Sequence, residues 1–140
     1  MKRKISYLLT FIFVAFTAVF AVACNKGGEA KAEVLSSTET QLVIRVHTTE
    51  GNATLTDVMT ALQEEGELSF TVTGGMVTAI NGKSNTASDF WMLYTSDTEM
   101  SNTEWGTVDY EGETYASAIL GADALTVVDG GLYIWEYQSF

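Results

Sequence analysis

Residues 74–97, GGMVTAINGKSNTASDFWMLYTSD, place two strand-like runs on either side of a polar segment and end in five consecutive uncharged residues, Phe90, Trp91, Met92, Leu93 and Tyr94. Gly74 and Gly75 permit the positive backbone angles of a two-residue hairpin. The run before them, Glu67 to Thr73, alternates Leu68, Phe70 and Val72 with Ser69, Thr71 and Thr73, and the return run is Met76 to Ile80, ended by Asn81 and Gly82. Alternate side chains of a strand point to opposite faces, so Phe90, Met92 and Tyr94 share one side and Trp91 and Leu93 the other. A strand apolar on both faces is either core or binding surface. The chain is therefore a sheet protein in which both faces of the sheet must be accounted for.

Working outward, the segment before the hairpin reads as a helix from about Thr54 to Glu65, with Leu55, Val58, Met59 and Leu62 forming one apolar stripe. Thr54 is placed to cap it, Asp57 to complement its N-terminal dipole, and Gly66 to end it. Upstream, Gln41 to Thr48 alternates, with Leu42, Ile44 and Val46 on one face and Val43, Arg45 and His47 on the other. Downstream, residues 97–113 read as a long acidic loop carrying Trp105, followed by two strands, Leu125 to Val128 and Leu132 to Gln138, joined through Asp129, Gly130 and Gly131. In the last strand Leu132 and Ile134 share one face, while Tyr133, Trp135 and Tyr137 share the other.

One short helix covers only one face of such a sheet. The second face is either buried by the 97–113 loop as a subsidiary core or left open as a stacking platform for a ring-shaped or planar ligand, or for another protein. The candidate ligand-binding residues are Phe90, Trp91, Tyr94 and Trp105.

At the N-terminus, Lys2, Arg3 and Lys4 precede an apolar stretch from Ile5 to Ala23, the pattern of an export signal. Ala21, Val22 and Ala23 then lead to Cys24, the only cysteine of the 140 residues. This resembles a bacterial lipoprotein signal, with a signal peptide at residues 1–23 and lipidation at Cys24. The alternatives are ordinary cleavage at an A-x-A site and an uncleaved anchor. Residues 24–38, small and polar, read as a lipidated flexible tether. From Cys24 onward four basic residues stand against all 18 acidic ones, a net charge of −14. Nucleic acid is disfavoured as a partner, because it requires a basic footprint.

Little points to catalysis. His47, the only histidine, sits in a regular strand with no oxyanion motif nearby, and Cys24 is consumed by lipid. Zinc lacks its usual nitrogen and sulfur ligands. The carboxylates at Asp97, Glu99, Glu104, Asp109, Glu111 and Glu113 do not follow the spacing of an EF-hand loop, so no metal site is expected. No enzyme is expected either.

The order of elements is similar to that of the transcobalamin C-terminal-like domain family (DUF4430). It is carried by a strand, a helix beginning Thr54-Leu55-Thr56-Asp57-Val58, the run VTAINGK at 77–83, Phe90 followed by Trp91, and an Asp129-Gly130 turn before an aromatic strand. The resemblance covers residues 39–140 as one domain. It implies an α+β fold, a β-grasp-like mixed sheet packed on one helix, and in the cobalamin carriers the related domain closes over one face of the corrin ring. The expectation is a membrane-anchored extracytoplasmic lipoprotein at the cell membrane whose domain binds a small molecule, a corrinoid or another planar compound, with no resident cofactor. The alternative is a cell-surface module for a protein or polysaccharide, its partner a surface or transport protein.

Overall fold

The structure, a computed structural model, describes residues 21–25 and 28–140. The leader expected at residues 1–23 lies outside the described residues up to position 20, and the side chain of Cys24 lies outside them too. Among the described residues ten strands and one α-helix follow in the order β1 (Ala21–Asn25), β2 (Gly28–Ser37), β3 (Gln41–Gly51), α1 (Leu55–Glu64), β4 (Phe70–Thr73), β5 (Met76–Ile80), β6 (Lys83–Ser84), β7 (Asp89–Thr95), β8 (Ser101–Tyr110), β9 (Glu113–Ala118) and β10 (Leu132–Ser139). This is an α+β layout, mostly sheet, with one short helix.

Seven strands form the main sheet in the order β1-β2-β3-β10-β7-β9-β8, and β4-β5-β6 form a small second one. Every described pairing is antiparallel. The expected mixed sheet is thus corrected at its centre, where β10 runs antiparallel to both β3 and β7. Strand β3 lies between β2 and the last strand of the chain, β10.

Helix α1 forms where its stripe predicts. Asp57 N–H donates to Thr54 Oγ1 at 3.3 Å and Thr54 N–H donates to Asp57 Oδ2 at 2.8 Å, a reciprocal capping box. Its buried face, Leu55, Val58, Met59, Ala61 and Leu62, packs against Leu42, Ile44 and Val46 of β3 and the aromatic face of β10 in one main core. Tyr133 and Trp135 therefore belong to the same core as the helix. The aliphatic face, Leu132 and Ile134, is the second one, where it meets Val43 and Tyr94 with Met92, Val108, Tyr110 and Tyr115 packed around them.

Three segments differ from their reading. Residues 28–37 form β2 on the edge of β3 instead of a tether. Ala30 and Ala32 are buried while Glu29 and Lys31 face out, so the period-two pattern is present but carried by alanines. Small side chains give little hydrophobic signal, yet they suit a strand against which helix α1 packs. Residues 97–113, read as a loop, contain a 3₁₀ turn at Thr98–Met100 and then β8, which pairs with β9 around a Glu111-Gly112 turn. The hairpin supplies Val108, Tyr110 and Tyr115 to the second face, the subsidiary core weighed above. Leu125 to Val128, read as a strand, is reduced to a single bridge between Thr126 and Thr54, although Leu125 and Val127 are buried.

Candidate functional site

Trp91 decides where a site lies, because β7 aims it at the helix side of the sheet while its neighbours in sequence face away. It is 5% exposed. Its Nε1–H donates to Lys83 O at 2.8 Å, and its backbone N–H donates to Asn85 Oδ1 at 2.9 Å. Lys83 and Asn85 come from the polar segment of the opening stretch. Asn81 and Gly82, with φ of 49° and 83°, turn that segment into a second tight hairpin, with Ile80 opposite Lys83. Tyr137 packs edge-on against Trp91, centroids 5.2 Å apart, donates its hydroxyl to Ser84 O at 2.7 Å, and carries Lys83 Nζ 4.7 Å from its ring centre. The small sheet thereby clamps one side of Trp91.

The other side opens into a groove of about 260 Å³ between β5, β7 and the segment that follows β9. Trp91, Leu93 and Trp135 line it together with Met76, Ile119 and Leu120, and no charged side chain takes part. Met76 is 65% exposed, and Ile119 and Leu120 are exposed as well, so three large apolar side chains stand in water around one depression. In a domain this acidic, an uncharged apolar depression stands apart from the rest of the surface. Trp135 adds a second feature: its indole Nε1–H is buried and has no hydrogen-bond partner among the described residues. A buried donor left unpaired costs about 1–3 kcal/mol.

The four candidate residues are not brought together. Phe90 sits at the start of β7 and packs against Phe140 at the C-terminus, ring centroids 5.9 Å apart. Tyr94, 2% exposed, is in the second-face cluster, where its hydroxyl donates to Gln138 Oε1 at 2.8 Å. Burial is the main reason that its phenol is pushed above the ordinary value, with the Gln138 bond opposing and Glu136 adding. Trp105 is 59% exposed on β8, in a four-residue bulge where Asn102 pairs with Ser117 and Thr107 already pairs with Ala116. Of the four, Trp91 alone lines the groove. Sequence reasoning missed Met76, Ile119, Leu120 and Trp135. The adjacent apolar pair at 119–120, outside any strand, was the available signal.

Among the described residues no group of three His, Cys, Asp or Glu side chains is arranged to hold a metal ion, and no helix is long and apolar enough to cross a membrane. Compared with known proteins, the chain matches no family model, no curated protein and no solved structure.

Proposed function

We propose that the chain is a lipid-anchored extracytoplasmic binding module whose groove takes an uncharged planar group. The observation that carries this reading is the trio Met76, Ile119 and Leu120, exposed around a depression floored by Trp91 and Trp135. Aromatic floors favour flat ligands that stack or meet them edge-on. A volume of about 260 Å³ lies just below the roughly 300–1,000 Å³ typical of ligand sites, which suits one or two fused rings. A corrin ring exceeds it, so a corrinoid would engage this groove through an edge or a side group only. The absence of titratable side chains from the lining supports binding rather than catalysis.

The anchor rests on the leader pattern and Cys24. Cleavage before Cys24 would remove Ala21, Val22 and Ala23, the residues of β1 that pair with Ala32, Lys31 and Ala30, and open that part of the β2 edge. Packing of the described helix against one face of the main sheet supports a β-grasp-like description, with the antiparallel centre as a departure from it.

The test is titration of the full chain with coumarin, an uncharged two-ring probe, followed through tryptophan fluorescence. Saturable quenching with a Kd of about 0.1–1 mM is expected, since so small a ligand gains only several kcal/mol. Leu120→Glu, a change at an exposed position, should weaken it at least about tenfold. Quenching that never saturates, or that is indifferent to Leu120→Glu, would remove the groove as the site. Cobinamide run in parallel tests whether a corrinoid reaches the same groove.

A second reading has its own support. Trp105 stands out from the sheet on its bulge, and β8, β9 and the 3₁₀ turn enclose an uncharged cleft of about 400 Å³ lined by Thr95, Ser96, Thr98, Ser101, Thr107 and Thr114 among others. A hydroxyl-rich cleft and an exposed indole on the same hairpin suit a neutral saccharide at a cell surface. Binding of oligosaccharides lost in Trp105→Ala but kept in Leu120→Glu would favour it over the groove.

A further inference from the structure

On the face of the sheet away from helix α1, a cleft of about 470 Å³ lies between β2–β3 and the tip of the β8–β9 hairpin, separate from the aromatic groove. Arg45 lines it, the only arginine from Cys24 onward in a stretch of net charge −14. Acidic side chains outnumber basic ones more than fourfold there, so an arginine that found no carboxylate is unexpected. Arg45 nevertheless makes no ion pair and no side-chain hydrogen bond among the described residues. Glu33, which shares the cleft, is engaged instead by His47, Nε2 to Oε1 at 3.1 Å. Glu111, at the hairpin tip, also lines the cleft and is likewise without an ion pair.

The two unpaired charges line one cleft, and both act on the tyrosine that lines it with them. Burial is the main reason that the Tyr110 phenol is pushed above its ordinary value; Glu111 adds to the shift and Arg45 opposes it, with a smaller contribution from Tyr115. Arg45 and Glu111 line the cleft together with Tyr110 and form no ion pair with each other. Tyr110 and Tyr115 supply aromatic surface, and Leu35 and Leu132 extend it with apolar surface.

We propose that this cleft binds a zwitterion of the α-amino acid class, its carboxylate on Arg45, its ammonium on Glu111 and its apolar side chain against Tyr110, Tyr115 and Leu35. A guanidinium offers a forked pair of donors that matches a carboxylate. A carboxylate alone would meet Glu111 and the net negative domain unfavourably, and an amine alone would meet Arg45. Only a ligand carrying both charges satisfies both sides. The cleft volume falls within the roughly 300–1,000 Å³ range of ligand sites and leaves room for an aromatic side chain or a second residue.

The experiment is calorimetric titration of the full chain with L-phenylalanine, 3-phenylpropionate and phenethylamine, which share one aromatic body and differ in charge. L-Phenylalanine should bind at least about tenfold more tightly than either singly charged probe. Arg45→Met should abolish binding of L-phenylalanine, and Glu111→Gln should weaken L-phenylalanine while strengthening 3-phenylpropionate. Both residues are exposed, so thermal melts of the two variants should match the parent, and Leu120→Glu in the other groove should bind L-phenylalanine as the parent does. Absence of heat with L-phenylalanine up to about 10 mM, beyond weak specific affinity, overturns the proposal. So does equal binding of 3-phenylpropionate, or binding unchanged by Arg45→Met.

Discussion

The Tyr133 hydroxyl accepts a hydrogen bond from the backbone N–H of Val128 at 2.9 Å, closing the turn that leads into the central strand β10. Tyr133 is fully buried, and the turn is tied to β3 on its other side, where Thr49 N–H donates to Asp129 Oδ1 at 2.6 Å and Val46 N–H to Gly131 O at 2.9 Å.

Gly131→Ala should destabilise the protein through this contact. A Cβ at Gly131 would lie 2.8 Å from the Tyr133 hydroxyl oxygen and 2.9 Å from both Tyr133 Cε2 and the Val128 carbonyl oxygen. The ring is held by core packing and the carbonyl by the turn, so neither gives way easily. Overpacking of this kind costs about 1–3 kcal/mol. Urea denaturation should show the unfolding free energy falling by that amount, through a lower midpoint at an unchanged slope, and an unchanged midpoint would mean that the turn is looser than its contacts indicate.

The same tyrosine sets a pH dependence. Burial, first among the causes, pushes its phenol up to about 12 from an ordinary value of 10.0, against the opposing hydrogen bond from Val128. A raised pKa means that the folded state holds the proton more tightly than the unfolded state does. Its stabilising contribution is therefore complete below pH 10 and is lost as the pH rises towards about 12. At about 1.4 kcal/mol per unit, the loss approaches about 3 kcal/mol. Other groups titrate in that window as well, so the measurement is the difference between the parent and Tyr133→Phe. The parent should lose stability more steeply above pH 10, and parallel curves would contradict a buried phenol.

Much of this architecture is readable from residues whose pattern is strong and local. Leu55, Val58, Met59 and Leu62 announce a helix because four large apolar side chains recur at helical spacing, and Thr54 with Asp57 marks its start. Gly74-Gly75 announces a hairpin because few other pairs accept φ of 60° and 83° without strain. Strand β2 is hidden because Ala30 and Ala32 bury too little surface to stand out from the polar residues between them. Strand β8 is hidden by its acidic residues and by the bulge at 103–106, which breaks the alternation. The site was only partly legible for a different reason. Alternation places Trp91 opposite Phe90 and Tyr94, but which face the helix would cover depends on strand order, a non-local property. Met76, Ile119 and Leu120 meet only through that order.

Thr54→Ala should cost about 1 kcal/mol, the usual loss for removing an N-cap oxygen. It leaves Asp57 N–H without its acceptor, while Asp57 Oδ2 still accepts from the backbone at residue 54. Thr54→Ser restores the oxygen and should recover most of the loss. Thermal melts of both variants decide this, and equal losses in the two would assign the effect to the methyl group and the bridge to Thr126.

Trp91 and Trp105 should divide structure from surface. Trp91→Ala removes a buried ring, its Nε1 bond to Lys83 and its edge contact with Tyr137, so a loss of about 3–5 kcal/mol is expected. Trp105→Ala removes an exposed side chain with no ring contact or side-chain hydrogen bond among the described residues, and should stay within about 0.5 kcal/mol of the parent. Emission should divide the same way, with the red-shifted component disappearing in Trp105→Ala. Because Trp91 supports the fold as well as the groove, Trp91→Ala cannot by itself report on ligand binding. Trp91→Phe keeps an aromatic floor while removing the indole donor, so it should bind coumarin and melt below the parent. If Trp105→Ala proved as destabilising as Trp91→Ala, the bulge would have to be packed rather than solvent-facing. The exposed indole would then lose its case as a second binding surface.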